Sequence, residues 1–146
     1  YEMLRSLVGS EMCIRDRSSG ATFVAQGFSS DIKALTKMIE DAIHHDGFSF
    51  VNVFSPCVTY NKVNTYDWFK EHLTSIDDIE GYDITDKQLA MKTVLDHESL
   101  VKGIVYQDTT TPSYESQISE LKHEALAKRD IHITEETFND LTAQFL

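Results

Sequence analysis

The sequence is poor in three features that define large classes of protein. It has two cysteines in 146 residues, which excludes a disulfide framework. No apolar run approaches the roughly 18 residues that a membrane-spanning helix needs. Basic residues are few, because 13 Lys and Arg stand against 24 Asp and Glu and leave a net charge of −11. Such a chain is a poor candidate for binding nucleic acid or anionic membranes, and we expect neither as a partner.

What the sequence does contain suits a globular protein of modest size. Hydrophobic residues make up 41% of the chain, which suffices for a core. The length allows one domain, or one domain and part of a second. Because a single exposed thiol is most natural in a reducing compartment, we expect a cytoplasmic location.

The first seventeen residues differ in character from the rest and read YEMLRSLVGSEMCIRDR. Their last twelve letters, SLVGSEMCIRDR, resemble translated sequencing-adapter sequence. The segment lacks the apolar stretch of about 7–15 residues found in a signal peptide. We therefore predict that residues 1–17 are a non-native leader that packs on nothing, and that Cys13 is not a native residue. The alternative is a genuine amphipathic leader.

Residues 22–54 carry the pattern of a strand, a helix and a second strand. The first strand is predicted over Thr22–Ala25, the helix over Asp31–His45 and the second strand over Phe48–Phe54. Four apolar residues follow helical spacing, namely Ile32, Leu35, Ile39 and Ile43. Because the connection is long enough for a parallel crossover, we predict that the two strands are adjacent and parallel. One such unit must pack on further strands, which we expect from sequence upstream.

The ends of this helix have their own signals. Ser29 or Ser30 is expected to cap its start, and Gly47 to stop it. His44 and His45 lie at its end, where a histidine is favourable against the helix dipole. We prefer that interpretation to metal binding, because no spaced Cys or His partner follows.

Weaker patterns organise the rest of the chain. Residues 74–85 are acidic and irregular, and their spacing does not fit a calcium loop, so we expect a solvated loop. Thr134 is predicted to cap the last helix, whose Phe138, Leu141 and Phe145 share one face. The predicted elements are helices at Asn64–Leu73, Asp86–Leu95, Tyr114–Arg129 and Glu135–Leu146, and a strand at Val101–Gln107.

The most informative stretch is SPCVTYNKVNTYDW, residues 55–68, directly after the second predicted strand. It places Cys57 just past the carboxyl end of that strand, where ligand sites collect in open α/β sheets. A block running from GATFVAQGF at Gly20 to DWFK at Lys70, and more weakly to Tyr114, resembles the beta subunit of the 2-oxoacid:ferredoxin oxidoreductases. The block is specific as a whole, whereas the Pro-Cys pair alone would be weak.

This resemblance implies a fold and a domain organisation. The fold class is α/β: the C-terminal part of a parallel-sheet fold that binds thiamine diphosphate, followed by a small C-terminal α/β extension. We expect the thiamine-domain part over residues 18–75 and the C-terminal domain with a helical tail over residues 76–146. The chain would then be the C-terminal part of a subunit about twice as long or more.

The resemblance also implies an activity, cofactors and partners. The intact enzyme would oxidatively decarboxylate a 2-oxo acid, with coenzyme A as acceptor and electrons passing through a [4Fe–4S] cluster to ferredoxin. The sequence NKVNTYDW, residues 61–68, favours enzymes of 2-oxoglutarate or of a broad range of 2-oxo acids over dedicated pyruvate enzymes. The implied cofactors are thiamine diphosphate, Mg²⁺ and the cluster. The implied partners are an alpha subunit, in a hetero-oligomer, and ferredoxin.

By the same resemblance, Cys57 is the fourth thiolate on the cluster, and the other three come from the N-terminal part of the subunit. The Gly-Asp-Gly signature with a downstream Asn that holds thiamine diphosphate and Mg²⁺ is absent here, so this chain alone should not be active. Without the family context, Cys57 would be interpreted as a small buried hydrophobe. Two other functions remain open at this stage: a non-catalytic interaction module with a structural Cys57, and a thiamine enzyme without a cluster.

The neighbours of Cys57 have two interpretations each. Four polar residues could hydrogen-bond near the cluster or thiamine, or could serve as loop and cap residues, with Asn64 capping the next helix; we prefer the second interpretation. Three aromatic residues could form a stacking platform, but more often such residues cover a core or an interface. The polar residues are Thr59, Asn61, Asn64 and Thr65, and the aromatic ones are Tyr60, Tyr66 and Trp68.

Overall fold

The computed structural model describes residues 20–119, 126–128 and 132–143. The chain divides into two compact units, Tyr1–Ser113 and Tyr114–Leu146. The leader predicted over residues 1–17 lies outside the described residues. No described helix combines the length and apolar character needed to cross a bilayer.

The first unit is built on a four-stranded mixed sheet with helices on both faces. Its strands lie in the order β2-β1-β4-β3. In chain order, its elements are β1 (Phe23–Phe28), α1 (Ile32–His44), β2 (Ser49–Phe54), α2 (Tyr66–His72), β3 (Thr74–Ser75), a 3₁₀ turn (Ile76–Asp78), α3 (Lys87–Asp96) and β4 (Val101–Gln107).

The predicted strand–helix–strand unit is confirmed. Strands β1 and β2 are adjacent and parallel, in a register that runs from Phe23 opposite Ser49 to Phe28 opposite Phe54. Strand β1 extends three residues beyond the predicted end at Ala25. The turn signal of Gly27 suggested the earlier end, but that glycine lies inside the strand because its missing Cβ leaves room for Leu35 of α1. A Cβ there would meet the Leu35 Cδ1 at 2.6 Å.

The ends of α1 differ in detail from the expectation. Asp31, and not Ser29 or Ser30, is the N-cap, and its carboxylate accepts a hydrogen bond from the Ala34 N–H at 3.3 Å. The C-cap is His45, so Gly47 lies two residues beyond the C-cap. Gly47 is required there for space, since a Cβ would lie 2.3 Å from the Thr22 hydroxyl oxygen.

A strand from later in the chain completes the other side of β1. Strand β4 pairs antiparallel with β1, from Phe23 opposite Gln107 to Gln26 opposite Gly103. The expectation that upstream sequence supplies all further strands was therefore incomplete. The expected domain boundary at residue 75 stays a prediction. Within this chain, β1 lies before residue 75 and β4 lies after it, and the two strands belong to one sheet.

Each face of the sheet has its own core. On one face, Met38 and Ala42 of α1 pack against Phe23, Ala25 and Val51, with Ile104 of β4 beside them. On the other face lies a larger cluster formed by β1, β4, α3 and the 3₁₀ turn. Its fully or nearly fully buried members are Ala21, Val24, Ile76, Ala90, Val94, Val101, Val105 and Tyr106. Strand β1 lies between the two cores and is buried at every residue.

A buried glutamine joins three parts of this unit. Gln26 of β1 is fully buried, and its amide nitrogen donates to the carbonyl oxygens of Ser99 and Val101, each at 3.2 Å. Its side-chain oxygen accepts from the Asn52 amide of β2 at 3.1 Å. Ser99 and the preceding Glu98 have left-handed backbones, with φ of 66° and 49°, which are uncommon for residues other than glycine. Gln26 therefore holds a strained turn against the central strand.

The acidic stretch before α3 is partly ordered, contrary to the expectation of an irregular loop. Thr74–Ser75 pairs parallel with the start of β4, and the following turn buries Ile76. Asp86 caps α3 by accepting from the N–H groups of Gln88 and Leu89 at 2.8 and 3.0 Å. The stretch is therefore ordered by the backbone pairing of Thr74–Ser75 with β4 and by the burial of Ile76.

The second unit has short helices: α4 (Tyr114–Gln117), a 3₁₀ turn (Leu126–Lys128) and α5 (Glu135–Ala143). The helix predicted from Tyr114 to Arg129 is not continuous, because α4 ends at Gln117. Residues 120–125 and 129 of that prediction lie outside the described residues. Helix α5 confirms the cap at Thr134, whose hydroxyl accepts from the Thr137 N–H at 3.2 Å. Phe138 and Leu141 are exposed on it, and Phe145 lies outside the described residues.

The Gln26 network makes a prediction about stability. We expect Gln26→Leu to lower the free energy of unfolding by about 2–3 kcal/mol, because it leaves buried polar partners without their hydrogen bonds. Gln88→Leu, the same change at an exposed position of α3, should shift it by less than about 0.5 kcal/mol. Urea unfolding followed by circular dichroism measures both. Equal midpoints for the two variants would contradict a stabilising role for the network.

Candidate functional site

The candidate site lies at the carboxyl edge of the parallel pair. Phe28 and Phe54 are opposite one another in the register and end β1 and β2. Cys57 follows three residues after Phe54, in the loop that leads to α2, and its side chain is exposed. The sequence-based position of Cys57 is therefore the position in the structure. Its exposure also argues against the alternative of a buried packing residue.

The loop around Cys57 is held by its own backbone and one asparagine. The Asn61 N–H donates to the Cys57 carbonyl oxygen at 3.0 Å. The Asn61 side-chain oxygen then accepts from the N–H groups of Val63 and Asn64, both at 3.0 Å. The Lys62 ammonium closes the same turn by donating to the Val58 carbonyl oxygen at 2.6 Å. The turn that carries the thiol is thus bonded internally, before any ligand is considered.

Backbone N–H groups of the turn lower the pKa of the Cys57 thiol below its usual value. The effect of Tyr60 is the largest and that of Thr59 is next, while the effect of Asn61 is smaller than the opposing effect of desolvation. N–H donors favour the thiolate because they stabilise its negative charge. The thiolate is the form of cysteine that binds metals and acts as a nucleophile. The loop therefore favours the thiolate form of Cys57.

An aromatic cluster attaches this loop to the sheet. The ring of Phe69 on α2 lies 5.8 Å from that of Phe28, 5.4 Å from Phe54 and 5.0 Å from Trp68, between ring centroids. The ring of Tyr66 lies 5.8 Å from Phe28. Such tilted and edge-on ring pairs stabilise a structure beyond the area that they bury. Both ends of the Cys57 loop are therefore fixed, one by β2 and the other by α2.

The residues near Cys57 were expected either to act close to a cofactor or to serve as loop, cap and packing residues. Thr65, and not Asn64, caps α2, since its hydroxyl accepts from the Trp68 N–H at 3.4 Å. Tyr66 and Trp68 pack in the aromatic cluster, as the preferred interpretation had it. Tyr60 does not cover the core, because its side chain is 89% exposed.

The described part of the chain supplies a single candidate ligand. Within residues 20–119, 126–128 and 132–143, no three His, Cys, Asp or Glu side chains gather so as to hold a metal ion. His44 and His45 make local contacts instead: the His44 Nδ1 lies 2.8 Å from the Glu40 carbonyl oxygen, and the His45 Nε2 lies 2.8 Å from the Thr22 hydroxyl oxygen. Cys57 is thus suited to complete a site whose other ligands come from elsewhere.

Two features of the same unit were missed from the sequence. One is the Gln26–Asn52 hydrogen bond, whose signal was a glutamine inside an apolar strand. The other is the turn after β4, where the Asp108 carboxylate accepts from the hydroxyl groups of Thr111 at 2.6 Å and Thr110 at 2.7 Å. These bonds hold the pKa of Asp108 well below its usual range. The run Asp-Thr-Thr-Thr was the available signal for that turn.

The lowered pKa of Cys57 can be measured on this chain. In a Cys13→Ser background, we expect the midpoint of iodoacetamide alkylation against pH to be lower in the folded chain than in urea. The folded state favours the thiolate, so its contribution to stability is present above the pKa of the unfolded thiol and is lost as the pH falls through the lower native value. Identical midpoints in both states would contradict the lowered pKa of Cys57.

Comparison with known proteins shows which family this chain resembles. Residues 57–123 match the family described as the C-terminal region of the pyruvate ferredoxin oxidoreductase beta subunit. A 2-oxoacid:ferredoxin oxidoreductase subunit beta from Sulfolobus sp is 35% identical over 111 residues, which cover 69% of this chain and 36% of that protein. The same subunit from Saccharolobus solfataricus is 32% identical over 113 residues, which cover 70% of this chain and 37% of that protein. The chain thus spans little more than a third of the length of these relatives.

A solved structure shares the fold as well. The 2-oxoglutarate:ferredoxin oxidoreductase from Magnetococcus marinus, determined with 2-oxoglutarate, coenzyme A and succinyl-CoA bound, has a TM-score of 0.69 and 25% sequence identity to this chain. The match covers 88% of this chain and 43% of that one. Sequence and fold agree, and the chain belongs to the beta-subunit family of the 2-oxoacid:ferredoxin oxidoreductases, a family of oxidoreductase enzymes.

Proposed function

We propose that this chain is the C-terminal part of a beta subunit whose enzyme oxidatively decarboxylates a 2-oxo acid and passes the electrons to ferredoxin. In that enzyme, Cys57 is one thiolate ligand of a [4Fe–4S] cluster. The observation that carries the proposal is the exposed Cys57 thiol at the carboxyl edge of a parallel strand pair, with its pKa lowered by backbone N–H groups. An exposed, rigidly held thiolate is what a cluster ligand requires.

The residues present fit one corner of such a cluster. A [4Fe–4S] cluster takes four thiolates, so three must come from the part of the subunit outside this chain. When bound, thiamine diphosphate supplies the electron sink for decarboxylation and the cluster accepts and passes on single electrons. The thiamine diphosphate and Mg²⁺ ligands likewise belong to the rest of the subunit, because the signature that holds them is absent here.

The chain's own contribution is to orient the sulfur and to set its electronic environment. The backbone N–H groups of Tyr60, Thr59 and Asn61 lower the pKa of the Cys57 thiol and so favour its thiolate form. Hydrogen bonds to cluster sulfurs are one of the factors that set a cluster's reduction potential. Because peptide N–H groups are fixed by the turn, this effect requires no particular side chain at positions 59 and 60. Asn61 is different, since its side chain holds the turn itself.

We propose 2-oxoglutarate as the substrate and coenzyme A as the acyl acceptor. Two observations support this proposal. The fold matches that of an enzyme whose structure was determined with 2-oxoglutarate and coenzyme A bound, and the sequence of residues 61–68 is NKVNTYDW. We expect the kcat/KM of the complete enzyme, assayed with coenzyme A and ferredoxin, to be at least about tenfold higher for 2-oxoglutarate than for pyruvate. A preference for pyruvate would assign the enzyme to the other substrate class without affecting the role of Cys57.

The cluster role of Cys57 is tested in the complete subunit, with its alpha partner. We expect Cys57→Ala to lower the iron content from about four atoms per subunit towards zero and to abolish ferredoxin reduction, because three thiolates leave one iron open to solvent. Cys57→Ser should retain part of the cluster, with an oxygen ligand and a changed reduction potential. Iron and acid-labile sulfide analysis, with electron paramagnetic resonance, measures these effects.

A matched control separates ligand loss from damage to the loop. Val58 is the exposed neighbour of Cys57, and Val58→Ala should leave both iron content and ferredoxin turnover unchanged. Thiamine diphosphate binding should survive in Cys57→Ala, since its ligands lie elsewhere. Equal iron and equal turnover in wild type and Cys57→Ala would remove Cys57 from the cluster and overturn the proposal.

A further inference from the structure

Lys62 is the one charged side chain in a long neutral stretch of sequence around Cys57. Between Asp46 and Asp67 the sequence holds no other Asp, Glu, Lys or Arg, although the chain as a whole carries a net charge of −11. Strand β2 and the Cys57 loop both lie within this stretch. The loop that carries the thiol therefore has a charge opposite in sign to that of the whole chain.

The Lys62 ammonium is folded back onto the loop that carries it. Its Nζ donates to the Val58 carbonyl oxygen at 2.6 Å. Among the described residues, the ion pairs with carboxylates are made by Lys37, Lys70 and Lys102, and Lys62 is not one of these. A carbonyl is neutral, so Lys62 remains a cation that no bonded carboxylate neutralises within the described part of the chain.

The hydrogen bond to Val58 keeps this cation close to the thiol. Val58 follows Cys57 directly, and the Asn61 N–H closes the same turn on the Cys57 carbonyl oxygen at 3.0 Å. Since consecutive Cα atoms are about 3.8 Å apart, covalent geometry and the Lys62–Val58 bond together hold the ammonium within roughly 12 Å of the Cys57 sulfur. Any group that binds to this sulfur is therefore close to a positive charge.

A nearby cation matters most for a bound group that gains negative charge. Reduction of a [4Fe–4S] cluster adds one electron, and so one negative charge, and during turnover the 2-oxo acid is the reductant that loses this electron. The cation therefore stabilises the reduced form more than the oxidised form. At an effective dielectric constant of about 20 and a separation of about 10 Å, one unit charge changes an equilibrium constant roughly tenfold.

We propose that Lys62 raises the reduction potential of the cluster that Cys57 binds, and so favours the transfer of an electron to it. This inference rests on the proposed function, which gives Cys57 its cluster. The competing role for Lys62 is structural, because its hydrogen bond to the Val58 carbonyl oxygen also closes the turn. The two roles are separable, since the first requires a positive charge and the second requires only a hydrogen-bond donor.

The charge at the sulfur can be measured in the 146-residue chain without a cluster. Lys62 and Cys57 are both exposed there, so water screens the ammonium, and the pKa of the thiol is lowered by backbone N–H groups of the turn. A cation near the sulfur favours an anionic methanethiosulfonate reagent over a cationic one. The ratio of the two reaction rates does not depend on the thiolate fraction, because both reagents react with the thiolate.

This rate ratio gives the first test. In a Cys13→Ser background, we expect Lys62→Gln to lower the anionic-to-cationic rate ratio at Cys57 about twofold or more at an ionic strength of about 0.01 M. Lys62→Arg keeps the charge and should retain the wild-type ratio. Lys92→Gln removes the same charge from an exposed position on α3 and should leave the ratio unchanged. Equal ratios in Lys62→Gln and Lys92→Gln would overturn the proposal, because no cation would then act at the sulfur.

The complete enzyme gives the second test, in which a redox titration followed by electron paramagnetic resonance measures the midpoint potential of the cluster. We expect Lys62→Gln to lower the equilibrium constant for one-electron reduction about tenfold, which corresponds to about 59 mV. Lys62→Arg and Lys92→Gln should keep the wild-type potential. Glutamine retains a donor for the Val58 carbonyl oxygen, so a wild-type potential in Lys62→Gln would overturn the proposal and leave Lys62 a structural role.

Iron analysis separates failure of this inference from failure of the proposed function. A full complement of iron in Lys62→Gln, with an unchanged potential, would overturn this inference alone. A cluster that survives intact in Cys57→Ala would overturn the proposed function, and the effect of Lys62 on a cluster bound by Cys57 would be overturned with it.

Discussion

The backbone of strand β1 must be hydrogen-bonded along both edges, because every one of its six residues is buried. β2, the next strand along the chain, satisfies one edge, and β4, the last strand of the first unit, satisfies the other. The side chains of β1 then divide between two cores, with Phe23 and Ala25 under α1 and Val24 in the cluster with α3 and β4. Strands β2 and β4 are placed by their pairing with β1, and β3 is added on the far side of β4.

The position of Cys57 follows from the same constraint. Since β1 and β2 are parallel, they end at the same edge, and their last residues, Phe28 and Phe54, receive Phe69 of α2. This contact fixes both ends of the connecting loop that carries the turn at Cys57. Under the proposed cluster role, a thiol on a loop fixed at both ends would lose little conformational freedom on binding iron.

The sequence predicted the local elements well and the long-range pairings less well. Helical spacing of isoleucines located α1, and an apolar run located β2, because both patterns are written in consecutive residues. The antiparallel pairing of β4 with β1 joins residues about 80 positions apart, and nothing in either segment specifies the partner. The caps at Asp31 and Thr65 were assigned to neighbouring residues, because several adjacent side chains had suitable chemistry and backbone geometry decided between them.

For the candidate site too, the sequence predicted local features better than long-range ones. Cys57 was identified from its place after a strand and from the family resemblance, and the structure puts it at that edge. The N–H groups that lower its pKa, and the Gln26 amide that joins β1 to the Glu98–Ser99 turn, depend on backbone conformation and on distant chain segments. The spacing of the isoleucines of α1 predicted a shared helical face, but not that Ile32, Ile39 and Ile43 are exposed.

The central claim is that Cys57 binds iron, and an iron-edge anomalous difference map of the complete enzyme tests it most directly. The account predicts iron density within bonding distance of the Cys57 sulfur, in a cluster whose other three thiolates come from outside residues 18–146. A fully occupied cluster held by four other cysteines, with the Cys57 sulfur free of iron, would contradict it.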